Sequence, residues 1–434
     1  MLKPAIIGKD GRSSAIIKCL EKSPQVGVGG VVKLSDWKEA TPEQAIAKVL
    51  EAARRERPDF VIVGPEAPLA AGVVDWLQSE LGIPCVGPVK ALAQLEASKA
   101  FTRALVAEFG IPGNPEYRTF HSMEGMAAYL QQLGEYVVKP DGLTGGKGVK
   151  VSGAHLATIE DGLQYAEELF ACGHDAVVIE EKLDGEEFSL MSFCDGSHTV
   201  DMVPVQDHKR VGVDDTGPNT GGMGSYSCED HRLPFVSAEM MAQASAINAA
   251  VGRALFQKTG QKYKGILYGG FMVTAKGLRL LEYNARFGDP ETMNVLAVLE
   301  TDLAAIFQAI ISETLDRLPV RFRPLATVCK YIVPQGYPDA PVKGVVVDLS
   351  QVPPDSEHTM RFDAAVEQRP EGLVMTGSRA LAFVGVGANL AEAERRAEAA
   401  ASAVRGPVHH RPDIGTAPLV QRRVDHVKAL GVAS

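Results

Sequence analysis

Cysteine is scarce in this chain: six residues in 434, at positions 19, 85, 172, 194, 228 and 329. They form no C-x-x-C pair and stand far apart, which excludes a disulfide framework and a structural zinc site of the usual spacing. A reducing, cytoplasmic setting is the expectation. No apolar run approaches the roughly 20 residues that a bilayer-spanning helix needs. The N-terminus also lacks the basic region, long apolar core and cleavage site of a secretory leader. A basic excess is missing too. The formal net charge is -10, and general binding to nucleic acid needs a basic face. The chain shows no internal repeat, no block of like charge and no concentrated Pro-Gly linker. With 45% hydrophobic and 23% charged residues, it is a folding composition rather than a disordered one. At about 100–200 residues per domain, its length predicts two to four domains.

Alternating strands and helices dominate what is present. Ala5-Ile6-Ile7 runs into Gly8, and Phe60 to Val63 stops at Gly64-Pro65. Cys85-Val86 stops at Gly87-Pro88. Helical periods cover Ser13 to Leu20 and Ala71 to Leu81. That alternation predicts an open parallel sheet, with ligands at the loops beyond the strand carboxyl ends. Gly8 to Arg12 and Gly64 to Glu66 are two such loops. A helix is expected from Lys99 to Phe109. Strands are expected at 135–139, 149–152, 176–180, 188–194 and 278–283. Near the end, short strands at 327–333 and 381–387 precede an alanine-rich helix from Leu390 to Val404.

Four stretches carry chemistry. From Val137 to Val149 a strand ends in Lys139, and a loop holding Gly142, Gly145, Gly146, Lys147 and Gly148 follows. Glycine lets backbone N–H groups approach phosphate oxygens, and lysine adds a point charge. The spacing does not fit the P-loop pattern, and a hairpin with a surface lysine has the same signature. In Leu280 to Glu291, residues 282, 284 and 286 fall on one face of a strand. Glu282 and Asn284 are hard oxygen donors suited to Mg²⁺ held against substrate phosphates. Arg286 is suited to a transferring phosphoryl group, although a polar strand face with a paired arginine reads the same way. The acidic connector from Glu180 to Glu187 can read an adenine edge and hold ribose hydroxyls, or be an ordinary acidic turn. The stretch from Gln206 to Gly224 is too polar and glycine-rich for a core element, and long loops of this kind carry function or disorder. Within it, His208 has no metal-ligand spacing.

The order of these stretches resembles the ATP-grasp superfamily. Within it, the chain is similar to the phosphoribosylamine–glycine ligase family. The resemblance rests on Gly64-Pro65-Glu66-Ala67-Pro68-Leu69, Ser98-Lys99, the loop from Lys139 to Gly148, Asp207-His208-Lys209-Arg210 with Gly217 to Gly224, Glu282 to Glu291, Gly336-Tyr337-Pro338 and Arg411-Pro412-Asp413-Ile414-Gly415. Together these span nearly the whole chain.

The resemblance implies an α/β multidomain chain. Its parts would be an N-terminal open parallel sheet domain (1–98), a central ATP-grasp fold (99–323, with a lid-like part at 118–188) and a small mixed C-terminal β/α domain (324–434). It implies joining glycine to 5-phosphoribosylamine with ATP and Mg²⁺ or Mn²⁺, through an acyl phosphate. An ATP-grasp paralogue coupling another carboxylate and amine is the alternative. Lys99, Lys139, Gly145, Gly146 and Lys147 would meet the ATP phosphates, Glu180, Glu181 and Leu183 the adenine, and Glu187 the ribose. Glu282 and Asn284 would hold the metal. Arg286, Lys147 and Asp207 would be catalytic. Gly11, Arg12, Glu66, Asp207, Asp215, Asn219 and Arg286 would contact the small substrates, with Arg379 and Arg411 as further contacts. Neither nucleic acid nor membrane is implied as a partner, and the expected state is a monomer or weak homodimer.

One segment departs from the family pattern. Where the family has Arg-Glu-His-Ala after a glycine loop, this chain has Arg12-Ser13-Ser14-Ala15. Helix-start N–H groups, serine hydroxyls and the Arg12 guanidinium would still suit a sugar 5′-phosphate. The bland alternative is a solvated Arg12 and a helix merely capped by Ser13.

Overall fold

The computed structural model describes residues 1–145 and 148–432. Its first sheet is built from the short apolar runs near the N-terminus. Strands β1 (Pro4–Ile7), β2 (Val32–Ser35), β3 (Phe60–Val63) and β4 (Cys85–Val86) pair in parallel, in the order β2-β1-β3-β4. β1 and β3 are buried at every position, as strands covered on both faces must be. Helices α1 (Gly11–Leu20), α2 (Pro42–Glu56), α3 (Glu66–Ala71), α4 (Val73–Leu81) and α5 (Lys90–Ala97) supply that cover. The single helix expected from Ala71 to Leu81 is broken from its predecessor at Gly72, whose φ of +89° only glycine adopts readily. The loops after β1 and β3 lie side by side at the carboxyl edge, where strand order reverses.

Helix α6 (Lys99–Glu108) leads into a separate antiparallel sheet. It contains β5 (Tyr117–Phe120), β6 (Tyr136–Pro140), β7 (Lys150–Val151) and β8 (Val177–Glu181), in the order β5-β8-β6-β7. With α7 (Met126–Leu133) and α8 (Ile159–Ala171) it encloses its own core of Phe120, Met126, Leu130, Tyr136, Val138 and Ile179. The chain then forms β9 (Gly185–Asp195), β10 (Thr199–Asp201), β11 (Gln206–Asp207), β12 (Arg210–Gly212), β13 (Thr216–Asn219) and β14 (Gly224–Ser227). Helix α9 (Ala238–Thr259), β15 (Lys264–Thr274) and β16 (Gly277–Asn284) follow. A second antiparallel sheet runs β10-β9-β15-β16. The two sheets face each other across a cleft, with β8 and β16 contributing to its walls.

Helices α10 (Glu291–Val298) and α11 (Leu303–Ser312) precede β17 (Ala326–Pro334), β18 (Val346–Val347), β19 (Thr359–Asp363), β20 (Val366–Arg369), β21 (Gly372–Met375) and β22 (Leu381–Gly387). Helix α12 (Leu390–Ser402), β23 (Val408–His409) and α13 (Ala417–Ala429) end the fold. A sheet of order β11-β14-β17-β22-β19 ties the 206–227 segment to these C-terminal strands. Backbone hydrogen bonds therefore cross the expected boundary near residue 324. Ala393, Ala397, Ala400 and Ala401 form the buried face of α12. The helix lies so close to β22 that a Cβ on Gly385 would sit 2.0 Å from the Ala393 carbonyl oxygen.

Candidate active site

A cleft of about 890 Å³ opens between the two antiparallel sheets and runs to the carboxyl edge of the parallel one. Its walls bring together Lys99, Lys139, Gly145, Glu180, Glu181, Leu183, Glu187, Asp207, Asp215, Asn219, Glu282, Asn284, Arg286, Arg12 and Glu66. These residues are spread over 275 positions of sequence, from 12 to 286, and the fold alone collects them. Gly146 and Lys147 lie outside the described residues.

At one end the wall is apolar, with Val137, Val151, Leu183, Met272 and Leu281. Beside it lies a buried charge cluster. Glu180 accepts from Arg103 Nε (2.7 Å) and Nη2 (3.0 Å) and from Lys139 Nζ (2.6 Å). Burial would raise the Glu180 carboxyl, but Arg103 and Lys139 outweigh it and hold it down at about 2. Its side chain is thus committed to two cations. The reading of Glu180 as an adenine contact therefore cannot rest on its carboxylate. Arg103 had no part in the motif analysis. The signal for it was its i,i+4 spacing from Lys99, which places both on one face of α6. Lys99 Nζ donates to the Gly142 carbonyl (2.9 Å), joining α6 to the glycine loop. Ser98, the N-cap of α6, donates from its hydroxyl to Asp141 at the loop's base (2.9 Å). Burial lowers the Lys99 pKa, and nearby Lys139 adds to the effect while Glu282 opposes it.

Glu187 meets Lys209 Nζ at 2.9 Å, and Glu181 meets Lys276 at 2.6 Å. Most carboxylates lining the cleft are likewise paired or hydrogen-bonded. Among the described residues, two are not: Asp207 and Glu282 accept no hydrogen bond and no ion pair. Glu282 is open to the cleft. Burial by the surrounding walls raises its carboxyl, but Lys209, Lys139 and Lys99 together bring it below the ordinary range. Asp207 goes the other way. Burial raises it well above the usual carboxylate range against the pull of Lys209, and Glu291 raises it further. Two carboxylates pushed apart in this way are suited to different roles.

Asn284 and Glu282 occupy alternate positions of β16, as the sequence predicts, and both face the cleft. A carboxylate and an amide oxygen are hard donors, and among the described residues neither is held by a lysine. This donor set fits a divalent cation. The Asn284 Oδ1 accepts from Arg286 Nη2 (3.0 Å), and Arg286 also meets Glu96 at 2.8 Å and Glu66 at 3.6 Å. Glu96 was not anticipated; it also accepts from the Ala285 N–H at 2.8 Å. Another His-carboxylate group, Asp195, His198 and Asp316, is clustered elsewhere. There Asp195 already accepts from the N–H groups of Ser197, His198 and Leu315, so it ties the chain rather than offering a free ligand.

Several expectations need correction. Arg12 is neither solvated nor free for a phosphate. It is 8% exposed, its Nε lies 2.9 Å from Asp10, its Nη1 donates to the Phe287 carbonyl (3.0 Å), and Glu66 and Asp289 lie at 3.7 and 3.9 Å. Ser13 does not cap α1. Asp10 is the N-cap and accepts from both the N–H (2.8 Å) and the hydroxyl (2.7 Å) of Ser13. A protein carboxylate thereby occupies the helix N-terminus. Gly11 is outside the cleft lining, and a Cβ there would sit 2.0 Å from the Tyr331 hydroxyl. Asp215 lines the cleft, but its oxygens are held by Arg411 (2.7 Å) and Arg423, with the His208 ring nitrogen at 3.6 Å. Arg411 is fully buried between Asp215 and Asp413 and is outside the cleft lining. Arg379 does line the cleft, donating to the carbonyls of Gly221 (2.6 Å) and Asp289 (2.8 Å).

Comparison with known proteins gives the same picture along the whole chain. The family descriptions for phosphoribosylglycinamide synthetase match in three parts: the N domain at residues 2–96, the ATP-grasp (A) domain at 97–292 and the C domain at 327–417. The phosphoribosylamine–glycine ligase of Methanoregula boonei is 44% identical over 438 residues, covering 99% of this chain and 100% of the relative. That of Methanocaldococcus jannaschii is 43% identical with the same coverage. Among solved structures, the phosphoribosylamine–glycine ligase of Thermotoga maritima is 28% identical, with a TM-score of 0.77 over 95% of this chain and 99% of that one. A biotin carboxylase from Campylobacter jejuni, solved as a β,γ-ATP complex, shares the fold at 11% identity and a TM-score of 0.73, covering 99% of each chain.

Proposed function

The chain belongs to the phosphoribosylglycinamide synthetase family, and from that premise we propose how its cleft joins glycine to 5-phosphoribosylamine at the expense of ATP. The products are glycinamide ribonucleotide, ADP and phosphate, an early step of purine synthesis. The enzyme is an ATP-dependent carbon–nitrogen ligase. Identity of about 44% over the full length favours this activity over that of a paralogue with another substrate pair. The proposed organisation keeps the divisions 1–98, 99–323 with a lid-like part at 118–188, and 324–434.

The observation that carries the mechanism is the pair of unpartnered carboxylates. Lys209, Lys139 and Lys99 hold the Glu282 carboxyl low, whereas burial, with Glu291, raises that of Asp207 against the pull of Lys209. In this reading the apolar wall takes adenine at the connector that ends in Leu183, and Glu187 takes the ribose. Lys99 and Lys139 neutralise phosphate charge. Glu282 and Asn284 would hold Mg²⁺ or Mn²⁺, which supplies charge neutralisation at the transferred phosphate. Arg286 orients the glycine carboxylate. A glycine carboxylate oxygen forms a bond to the γ-phosphorus as the bond to the β,γ-bridging oxygen breaks, releasing ADP. The amine nitrogen then attacks the acyl carbon, and phosphate leaves with the former carboxylate oxygen. Asp207, with its raised proton affinity, accepts the proton that the nitrogen gives up. No covalent enzyme intermediate is needed; positioning and charge neutralisation do the work.

Glycine labelled with ¹⁸O in its carboxylate tests the acyl phosphate. The account requires one ¹⁸O in each phosphate released with product. Phosphate free of label would remove the glycyl phosphate from the mechanism.

A further inference from the structure

The motifs that carry chemistry end well before the last helix, yet α13 lines the same cleft. Arg423 and His426, three residues apart and so on one face of that helix, both belong to its wall. Arg423 reaches in two directions. One nitrogen meets Asp215, in the turn between β12 and β13, and another lies 3.3 Å from Glu186, at the start of β9. His426 Nδ1 takes the other Glu186 oxygen at 2.7 Å, and its Nε2 lies 3.4 Å from Asp184. The two carboxylates belong to different elements. Glu186 adjoins Glu187, which closes on Lys209. Asp215 adjoins the strand bearing Asn219 and touches His208, next to Asp207.

The turn it grips is not a relaxed one. Asp214 and Asp215 both have left-handed backbone, with φ of +60° and +57°, a conformation non-glycine residues keep only where surroundings fix it. Besides His208 and the local bond from the Thr216 hydroxyl to the Val213 carbonyl (2.8 Å), C-terminal residues hold it. Arg422 pairs with Asp214 at 2.9 Å, and Arg411 with Asp215 at 2.7 Å. The Asp214 N–H donates to Asp413 (3.1 Å), and His409 bonds the Val211 carbonyl (3.0 Å).

We propose that Arg423 is a positioning residue for the ligase reaction, through which α13 clasps the nucleotide-side end of β9 at Glu186 to the substrate-side turn at Asp215. It touches no substrate. Its forked guanidinium fixes the separation between Glu187 and the Asp207–Asn219 segment. A lysine, with one point of attachment, cannot make both contacts in that geometry.

The inference rests on the proposed function, and the test separates the two. Wild-type enzyme, Arg423→Lys, Arg423→Met and Glu186→Gln are compared in full steady-state kinetics with ATP, glycine and freshly generated 5-phosphoribosylamine, together with urea unfolding. The expected result is a fall in kcat/KM for glycine or the amine of about 10-fold or more in Arg423→Met, with a smaller change in the KM for ATP. Arg423→Lys recovers part of that loss. Adding Glu186→Gln to Arg423→Met costs much less than the two single effects combined. A folded Arg423→Met enzyme with wild-type constants overturns the proposal. So does a loss that only tracks the folded fraction, equal for all three substrates. Absence of turnover in the wild type would instead refute the proposed function.

Discussion

Glu180→Gln is the substitution whose consequence follows most directly from the structure. The side chain is 4% exposed, and Arg103 opposite it is 3% exposed. Glutamine keeps the shape and removes the charge. Arg103 would retain hydrogen bonds to the Leu280 and Leu281 carbonyls (2.9 and 2.6 Å) but lose its counter-charge. Breaking a buried pair from one side costs about 3–5 kcal/mol. The titration gives an independent figure. A carboxyl held at about 2, against its ordinary 4.5, contributes about 3 kcal/mol at neutral pH. Because the folded-state pKa is the lower one, that contribution is complete above pH 4.5 and is lost as pH falls toward 2. Urea unfolding at pH 7 should therefore show Glu180→Gln destabilised by about 3–5 kcal/mol. Its stability should also be less sensitive to acid than the wild type's below pH 4.5. Lys139 would lose the contact that places its ammonium, and if that placement matters more than the relief of its counter-charge, a titration with ATP shows weaker binding. A variant within 1 kcal/mol of wild type at pH 7, with the same acid response, would refute the assignment of Glu180 as the anchor of this cluster.

Glu282→Gln and Asn284→Ala should each cut turnover by 100-fold or more while leaving the unfolding midpoint nearly unchanged, since neither closes a structural contact on which the strand depends; proportional losses of stability and activity would mark the β16 face as structural. Asp207→Asn should fold normally and abolish the acidic limb of the pH profile of kcat/KM. In the wild type that limb should lie well above the ordinary carboxylate range, with activity rising as Asp207 deprotonates; an unaltered profile in the variant would remove Asp207 from the chemistry. Arg12→Met should lose about 3 kcal/mol in urea, because Asp10 and Asp289 are left with less counter-charge. Unchanged stability with a raised KM for the amine would restore Arg12 as a phosphate contact.

The sequence made the chemistry-bearing strands legible because their signals are local. Val137 to Lys139, Leu280 to Asn284 and the glycine loop are continuous stretches, and period-two alternation places Glu282 and Asn284 together. The family resemblance extended that reading to the whole chain. Pairing partners were not legible. Arg12 looked like an available cation because Asp289 and Phe287, which hold it, lie 277 and 275 residues away. Asp215 looked like a substrate ligand because its arginines come from the last 24 residues. Helix α9, with 22 residues, is not evident from the sequence because alanines spread around it and Asn248 and Gly252 on its buried face blur the apolar stripe. The N-terminal loop shows a further limit. Ser13 is a common capping residue, but Asp10 holds the cap position three residues earlier, so Ser13 sits inside the first turn and its own N–H is the one capped.

One reaction tests the central claim. Enzyme, Mg-ATP, glycine and freshly generated 5-phosphoribosylamine are combined, and the product is weighed by mass spectrometry while ADP is counted. Glycinamide ribonucleotide and ADP are expected in equal amounts, with neither formed when glycine is left out. ADP release without that mass, or the same ADP release with a different carboxylate in place of glycine, would contradict it.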